Sequence, residues 1–249
     1  MKKRRLFSLF LSFALLLPLF SLTSADAYED FTLDAKAGLL IEADTGEILY
    51  EKNAHQENYP ASLTKVMVAL LVFEAIDEGK IALTDSVTAT ESAFEGLSSD
   101  GSTANIVPGE TMTVEQLLNC MLIVSANEAC NILGETLYGS VDAFVARMNE
   151  RATELGCEHT HFANATGLHN SQHYTTAWDL YLITREALKH DKFMEICNSK
   201  SYTVPATNMT ETPRELHSTN FLISNWRARG YVYRDAQGIK TGSTEEAGH

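Results

Sequence analysis

Basic charge is in short supply: 19 Lys and Arg stand against 33 Asp and Glu, for a net charge of −14. So acidic a surface disfavours nucleic acid as a partner. Cysteine is scarce too, with four in 249 residues. No two of them have the Cys-x-x-Cys spacing of a zinc or redox site. Cys120, Cys130, Cys157 and Cys197 could pair in three ways in an oxidising compartment. The apolar neighbours Leu117, Met121 and Ile123 around Cys120, and Ile132 and Leu133 after Cys130, favour small buried hydrophobes instead. Past residue 20 no segment is long and apolar enough to span a bilayer. No internal repeat and no linker marks a domain boundary.

What is present begins with a leader. Met1 is followed by Lys2, Lys3, Arg4 and Arg5, then by an apolar run from Leu6 to Phe20 broken only by Ser8, Ser12 and Pro18. These are a basic n-region and an h-region, shorter than the ~20 residues of a spanning helix. The small residues of Ser24-Ala25-Asp26-Ala27 suit a signal peptidase, which places cleavage after Ala27. The mature chain would keep 222 residues, 15 basic and 32 acidic. That length suits one domain or two intimate subdomains.

Within the mature chain, Ala37 to Ala43 and Glu47 to Glu51 read as two strands about the turn Asp44-Thr45-Gly46. From Ser62 the period becomes 3.6, with Val66, Leu70, Phe73 and Ile76 on one face and Gly79 closing a buried helix. Residues 91–110 are rich in loop formers. Thr113 and Gln116 form a capping box ahead of a helix from Val114 to Val124. Further helices are expected over Asn127 to Tyr138, over Val141 to Leu155 behind Ser140, and from Thr175 or Thr176 to about His190. Tyr231 to Val232 and Gln237 to Gly242 return to strand character. The expected fold is α+β, an antiparallel sheet built from both chain ends and covered by a helical cluster.

Three motifs occur in order: Ser62-Leu63-Thr64-Lys65, Ser125-Ala126-Asn127 and Lys240-Thr241-Gly242. Each alone is weak, and Ser218-Thr219-Asn220 is a second match to the middle one. Position discriminates, since the first falls at a helix start, the second between helices and the third on an expected strand. Residues three apart on a helix share a face, so Lys65 can reach the Ser62 hydroxyl. Burial and the second cation Lys240 would both lower the Lys65 pKa toward that of a usable base. Ser125 could relay a proton, and Asn127 could hold substrate or Lys65. Lys240 offers a cation to a carboxylate, and Gly242 leaves room for an extended peptide.

These motifs, together with Asp44-Thr45-Gly46-Glu47-Ile48-Leu49, Pro60-Ala61-Ser62, Leu122-Ile123-Val124 and Phe162-Ala163-Asn164-Ala165-Thr166-Gly167-Leu168, resemble the low-molecular-mass penicillin-binding proteins, the serine D-alanyl-D-alanine carboxypeptidases. The resemblance covers nearly all of the mature chain. It implies a β-lactamase/transpeptidase-like fold and removal of the terminal D-alanine from peptidoglycan stem peptides through an acyl-serine. β-Lactams would acylate the same serine. By motif, Ser62 is the nucleophile, Lys65 the base, and Ser125 and Asn127 the relay and substrate ligand. Lys240 and Thr241 would hold the terminal carboxylate, and the backbone N–H groups of Ser62 and Ser243 the oxyanion. No cofactor and no metal is implied, and the implied location is the cell wall or the outer face of the bacterial cytoplasmic membrane.

Glu128 stands where the family commonly has Asp, and Trp178 where Arg is usual. The family continues past Lys-Thr-Gly with further strands, and often with a membrane-anchoring helix. The chain is thus expected to be C-terminally incomplete, with any membrane association left to the missing part. Two rivals are a class A-like β-lactamase and a non-catalytic peptidoglycan-binding protein. Against the first, the sole Glu-x-x-Leu-Asn, Glu115 to Asn119, precedes Ser125 inside a helix. His169 and His173 have metal-pair spacing, but in a loop without a Glu partner.

Overall fold

The computed structural model of the protein describes residues 33–248. The leader expected over residues 1–27 lies outside the described residues. Contacts divide the chain after Ala35, and the unit from Lys36 onward holds every helix and strand among the described residues.

The first hairpin forms as its turn chemistry dictates. Strand β1 (Gly38–Ile41) runs antiparallel to β2 (Ile48–Lys52), with Gly38 opposite Lys52. In the turn, the Glu42 carboxylate accepts both the N–H and the hydroxyl of Thr45 at 2.6 Å. Gly46 supplies a φ of +75°, a conformation that costs a side-chain-bearing residue strain.

A 3-10 turn, Ala61–Thr64, leads into helix α1 (Lys65–Asp77). The sequence pattern starts this helix at Ser62; the structure makes the first turn 3-10. Residues i and i+3 eclipse in that form, so Ser62 still lies beneath Lys65. Residues 65–73 and Ala75 are all buried, so α1 is enclosed on every side rather than on one face. Each large side chain here, such as Leu70, Leu71 and Phe73, contributes roughly 1.5–3 kcal/mol of burial before entropy.

Around α1 stand the helices that bring the other motifs to it. Helix α2 (Val114–Ile123) opens with the expected capping box of Thr113 and Gln116. Helix α3 (Asn127–Tyr138) ends on left-handed Gly139, and α4 (Val141–Glu154) starts on the Ser140 side-chain cap. Helix α5 (Ala177–Ala187) is capped by Thr176, whose hydroxyl accepts the Asp179 N–H. Helices α2, α3, α4 and α5 all pack on α1. The four cysteines are free and buried in this core, as small hydrophobes would be.

Tertiary contacts override the local pattern in two places. Helix α5 stops at Ala187 instead of running to His190, and a separate helix, α6 (Asp191–Cys197), comes next. His190 is pulled out of helical conformation, its ring stacked on Phe73 at 5.6 Å and its Nδ1 3.0 Å from Asp77. An antiparallel pair of distant strands, β3 (Ser86–Thr88) with β4 (Thr111–Thr113), and a second hairpin, β5 (Ser201–Val204) with β6 (Arg214–His217), also form. Strands of three or four residues are too short to display alternation. Arg214 ties the second hairpin to the buried Glu110 carboxylate, which also takes the Thr207 hydroxyl at 2.6 Å.

The α+β class stands, but the tail joins no sheet. Residues 231–232 and 237–242, expected as strands, pair with no strand among the described residues. Gly238 instead bonds side chains, its N–H donating to Asn198 Oδ1 at 2.7 Å and its C=O accepting from the Asn220 amide at 2.6 Å. A strand needs a ladder partner, and these bonds do not make one. Among the described residues no helix is long and apolar enough to cross a membrane.

Candidate active site

The site is built outward from the Pro60–Lys65 turn. Ala61 has a φ of +48°, a left-handed conformation worth roughly 1–2 kcal/mol of strain. Its carbonyl faces Gly167, where a Cβ would stand only 1.9 Å from the Ala61 oxygen. Gly167, at φ +85°, is therefore glycine for two independent reasons. Beyond this turn the Lys65 amine lies 3.0 Å from Ser62 Oγ, 2.8 Å from Asn127 Oδ1 and 2.6 Å from the Thr166 carbonyl.

Those distances determine what the amine can do. Asn127 Oδ1 and Thr166 O carry no proton and must accept. A neutral amine has two N–H bonds for them and keeps one lone pair for the Ser62 hydroxyl proton. Lys65 is completely buried, and burial holds its pKa below the ordinary lysine value. The opposing fields come from Cys130 and Glu128. Cys130 is itself pushed up to about 11 by burial, so at neutral pH it is an uncharged thiol and Glu128 is the remaining counter-charge.

The second motif occupies the bend between α2 and α3. Ser125 has a φ of +67°, strained for a residue with a side chain, and its buried Oγ has no hydrogen-bond partner among the described residues. A hydroxyl held at such cost and left unpaired is characteristic of functional positions. Asn127 opens α3, its N–H donating to Ser102 O at 2.9 Å. The neighbouring Glu128 carboxylate accepts from Thr103 Oγ1 at 2.7 Å and Ala104 N–H at 2.8 Å. Glu128 therefore shapes the loop that carries Ser102 along the cleft.

The third motif crosses the mouth of the site as a strap. A Cβ on Gly242 would sit 3.1 Å from Pro60 O, Ser62 N and Leu63 N alike. The missing side chain thus serves close approach to the Pro60–Lys65 turn, a reason for glycine separate from the expected room for a peptide. Ser62, Ser125, Thr241, Gly242 and Ser243 line one cleft of about 710 Å³. The backbone N–H groups of Ser62 and Ser243 meet no acceptor among the described residues. Lys240 differs from expectation: its amine donates to Thr241 O at 2.7 Å and is not among the groups lining this cleft. Burial, then the Lys65 amine, push Lys240 down to about 7.

The family model of the D-alanyl-D-alanine carboxypeptidases matches residues 23–249. The chain belongs to this family. D-alanyl-D-alanine carboxypeptidase DacF of Bacillus subtilis is 39% identical over 214 residues, 86% of this chain and 52% of its own length. DacA of Escherichia coli is 33% identical over 222 residues, 87% of this chain and 52% of its own. The chain spans about half the length of these curated relatives. The solved Streptomyces K15 DD-transpeptidase is similar with a TM-score of 0.77 and 31% identity, over 88% of this chain and 83% of that one. A peptidoglycan synthesis regulatory factor, PBP3 of Streptococcus pneumoniae, gives 0.75 and 30% over 87% and 60%. The fold is the transpeptidase-like fold that the motifs implied.

Sequence reasoning misses part of this carboxypeptidase-family cleft. Ser218-Thr219-Asn220 is set aside in the sequence as a chance match. In the structure Thr219 Oγ1 lies 2.7 Å from Thr241 Oγ1, Asn220 holds Gly238, and both residues line the cleft. Phe221, Leu222, Arg227 and Tyr231 complete the wall. No periodicity marks them, because they sit in irregular chain. His173 is no metal ligand here, since both its ring nitrogens are engaged by Ala163 and Thr64.

Proposed function

We propose that the protein is a penicillin-sensitive serine D-Ala-D-Ala carboxypeptidase acting on peptidoglycan stem peptides. What carries the reading is the Lys65 amine, buried, lowered in pKa and 3.0 Å from Ser62 Oγ with its two N–H bonds committed elsewhere. Ser62 Oγ attacks the carbonyl of the penultimate D-alanine while its proton passes to Lys65. The N–H groups of Ser62 and Ser243 take the developing oxyanion. The tetrahedral intermediate collapses to the ester, and the departing D-alanine amine receives a proton through Ser125. Water then hydrolyses the ester, and Ser62 regains its proton. Asn127 holds the substrate backbone and Lys65; Thr241 and Gly242 receive the carboxylate end of the peptide, joined by Lys240 once its amine leaves Thr241 O for the cleft.

A β-lactam presents the same carbonyl and would remain on Ser62 for want of a deacylating carboxylate. Glu115, the one glutamate in a Glu-x-x-Leu-Asn stretch, is paired with Lys192 at 2.6 Å and does not line the cleft. The reading includes export, with residues 1–27 a signal peptide removed after Ala27 and 28–249 the catalytic domain. It acts outside the cytoplasmic membrane, on the wall or at the outer face.

The test is covalent labelling. A fluorescent penicillin should add once, at Ser62, by intact mass and peptide mapping, and Ser62→Ala should abolish the adduct. A diacetylated tripeptide ending in D-Ala-D-Ala should release D-alanine. Label on a different residue, or none at all, would remove the basis of the reading.

A further inference from the structure

His173 is 2% exposed and takes no part in the reaction steps above. Its Nδ1 is 3.1 Å from the Ala163 backbone N–H, which can only donate, so Nδ1 must be the bare nitrogen. The ring proton then sits on Nε2, 2.8 Å from Thr64 Oγ1, and donates to it. That leaves the Thr64 hydroxyl proton for the Ala61 carbonyl, also 2.8 Å away. The bonds run one way: Ala163 N–H to Nδ1, Nε2–H to Thr64, Thr64 O–H to Ala61 C=O.

The two ends of this relay are the two segments that set the reacting atoms. Ala61 is the left-handed residue immediately before Ser62. Ala163 belongs to the same loop as Thr166, whose carbonyl receives the Lys65 amine, and Gly167, which abuts Ala61 O. Thr64 itself precedes Lys65. Removing the ring would leave a strained turn and its opposing loop joined only by contact and by the Lys65 bond.

We propose that His173, as the neutral Nε2–H tautomer, is a positioning residue for acylation. Through Thr64 it clamps the Ala61 carbonyl and so sets the distance between Ser62 Oγ and Lys65. The ring touches no substrate and transfers no proton. Its surroundings favour the neutral ring: it is buried, and none of the titratable groups whose fields act on it, His161, Lys65 and His169, is an acid that would hold a second proton there. The proposal rests on Ser62 being the nucleophile.

Four substitutions in the full chain separate positioning from mere packing. Asn at 173 can accept from Ala163 but is too short to reach Thr64, whereas Gln can reach Thr64 with an N–H. Val at 64 removes the hydroxyl at nearly constant volume, and Ser restores it. The readout is the rate of Ser62 labelling by a fluorescent penicillin, resolved into the saturating acylation rate and the apparent binding constant. His173→Asn and Thr64→Val should each lower the saturating rate about 10–100-fold, with binding unchanged, since small misplacements of reacting groups cost that much. The double variant should lose no more than the worse single one, because both break one chain. His173→Gln and Thr64→Ser should stay within about threefold of the parent. Labelling of His173→Asn and Thr64→Val at the parent rate, or fully additive losses, would overturn the proposal while leaving the reading of Ser62 intact. A parent protein that takes no label at Ser62 would overturn both. If the variants do not fold, ring ¹⁵N spectra of the parent decide: a bare Nδ1 and protonated Nε2 held from pH 8 to 5 are expected. An Nδ1–H tautomer, or a ring titrating near its ordinary value, would refute it.

Discussion

On one wall of the cleft, Lys65 is enclosed on all sides and bonded to three separate segments of chain. On the strap that forms the other wall, Lys240 is half-buried, and its amine bonds the carbonyl of the very next residue instead of lining the cleft. The wall that carries Ser62 is an extension of the α1 core, cross-braced by His173, Thr64 and Asn127. The strap from Gly238 to Ser243 is held by Asn198, Asn220 and Thr219 side chains and by the close approach of Gly242. The contrast separates two kinds of dependence. On the first wall geometry and stability are the same property, because each polar contact is buried and costs roughly 1–3 kcal/mol when left unmade. On the second, Thr241, Gly242 and Ser243 line the cleft from a strap held by few bonds.

The largest effect should come from the first wall. In Gly167→Ala the new Cβ would meet the Ala61 carbonyl at 1.9 Å, and the φ of +85° opposes any side chain. Neither backbone can yield without moving Thr166 O or Ser62. Loss of several kcal/mol from a total of ~5–15 is expected, together with a fall of at least ~100-fold in Ser62 acylation. Thermal melting and penicillin labelling measure the two. A variant that melts normally but labels slowly would break the claim that stability and geometry coincide there.

How much of the molecule is legible in the sequence depends on the same division. Helices α2, α3 and α4 can be placed to within a residue because Thr113, Ser140, Gly139 and Gly156 punctuate them locally. Ser62, Lys65, Ser125 and Asn127 converge because two short local structures, a 3-10 turn and a helix-to-helix bend, present them to each other. The third motif reads as a strand from composition alone. Whether residues 237–242 form a ladder depends on a partner elsewhere in the chain, which no local pattern encodes. Thr219 and Asn220 escape notice for the same reason: they act by reaching across to Thr241 and Gly238. His173 stands out in the sequence only as a metal-ligand candidate, because its spacing from His169 is visible there and its contact with Thr64, 109 residues away, is not.

An intermediate effect is expected on the strap. Gly242 has no left-handed φ, and a Cβ there would stand 3.1 Å from Pro60 O, Ser62 N and Leu63 N. That contact is tight, not prohibitive, and the strap has no ladder to resist a shift of a few tenths of an ångström. Gly242→Ala should therefore lower the acylation rate about tenfold, by displacing Ser243 N–H from the oxyanion position, with stability changed by no more than ~0.5 kcal/mol. A melting loss as large as that of Gly167→Ala would show that the strap is a structural member and erase the contrast between the walls.

The smallest effect concerns charge and pH. In the proposed reaction Lys65 must be neutral to accept a proton, and its depressed pKa means that acylation should fall as pH drops below that value. In the same proposal Lys240 must be charged to receive a carboxylate, yet burial and the Lys65 amine push it down to about 7, so its charge is lost as pH rises past that point. The two amines repel, so their steps belong to the pair and set the two limbs of a bell in the second-order acylation rate. In Lys240→Arg the guanidinium stays charged throughout, and the alkaline limb should flatten while the acid limb stays. The gain at pH 9 should be only about fivefold, since one partly solvated ion pair contributes ~1 kcal/mol. Penicillin labelling from pH 5 to 10 measures it. An alkaline limb that survives in the arginine variant would assign it to a group other than Lys240, and would detach the strap's cation from substrate binding.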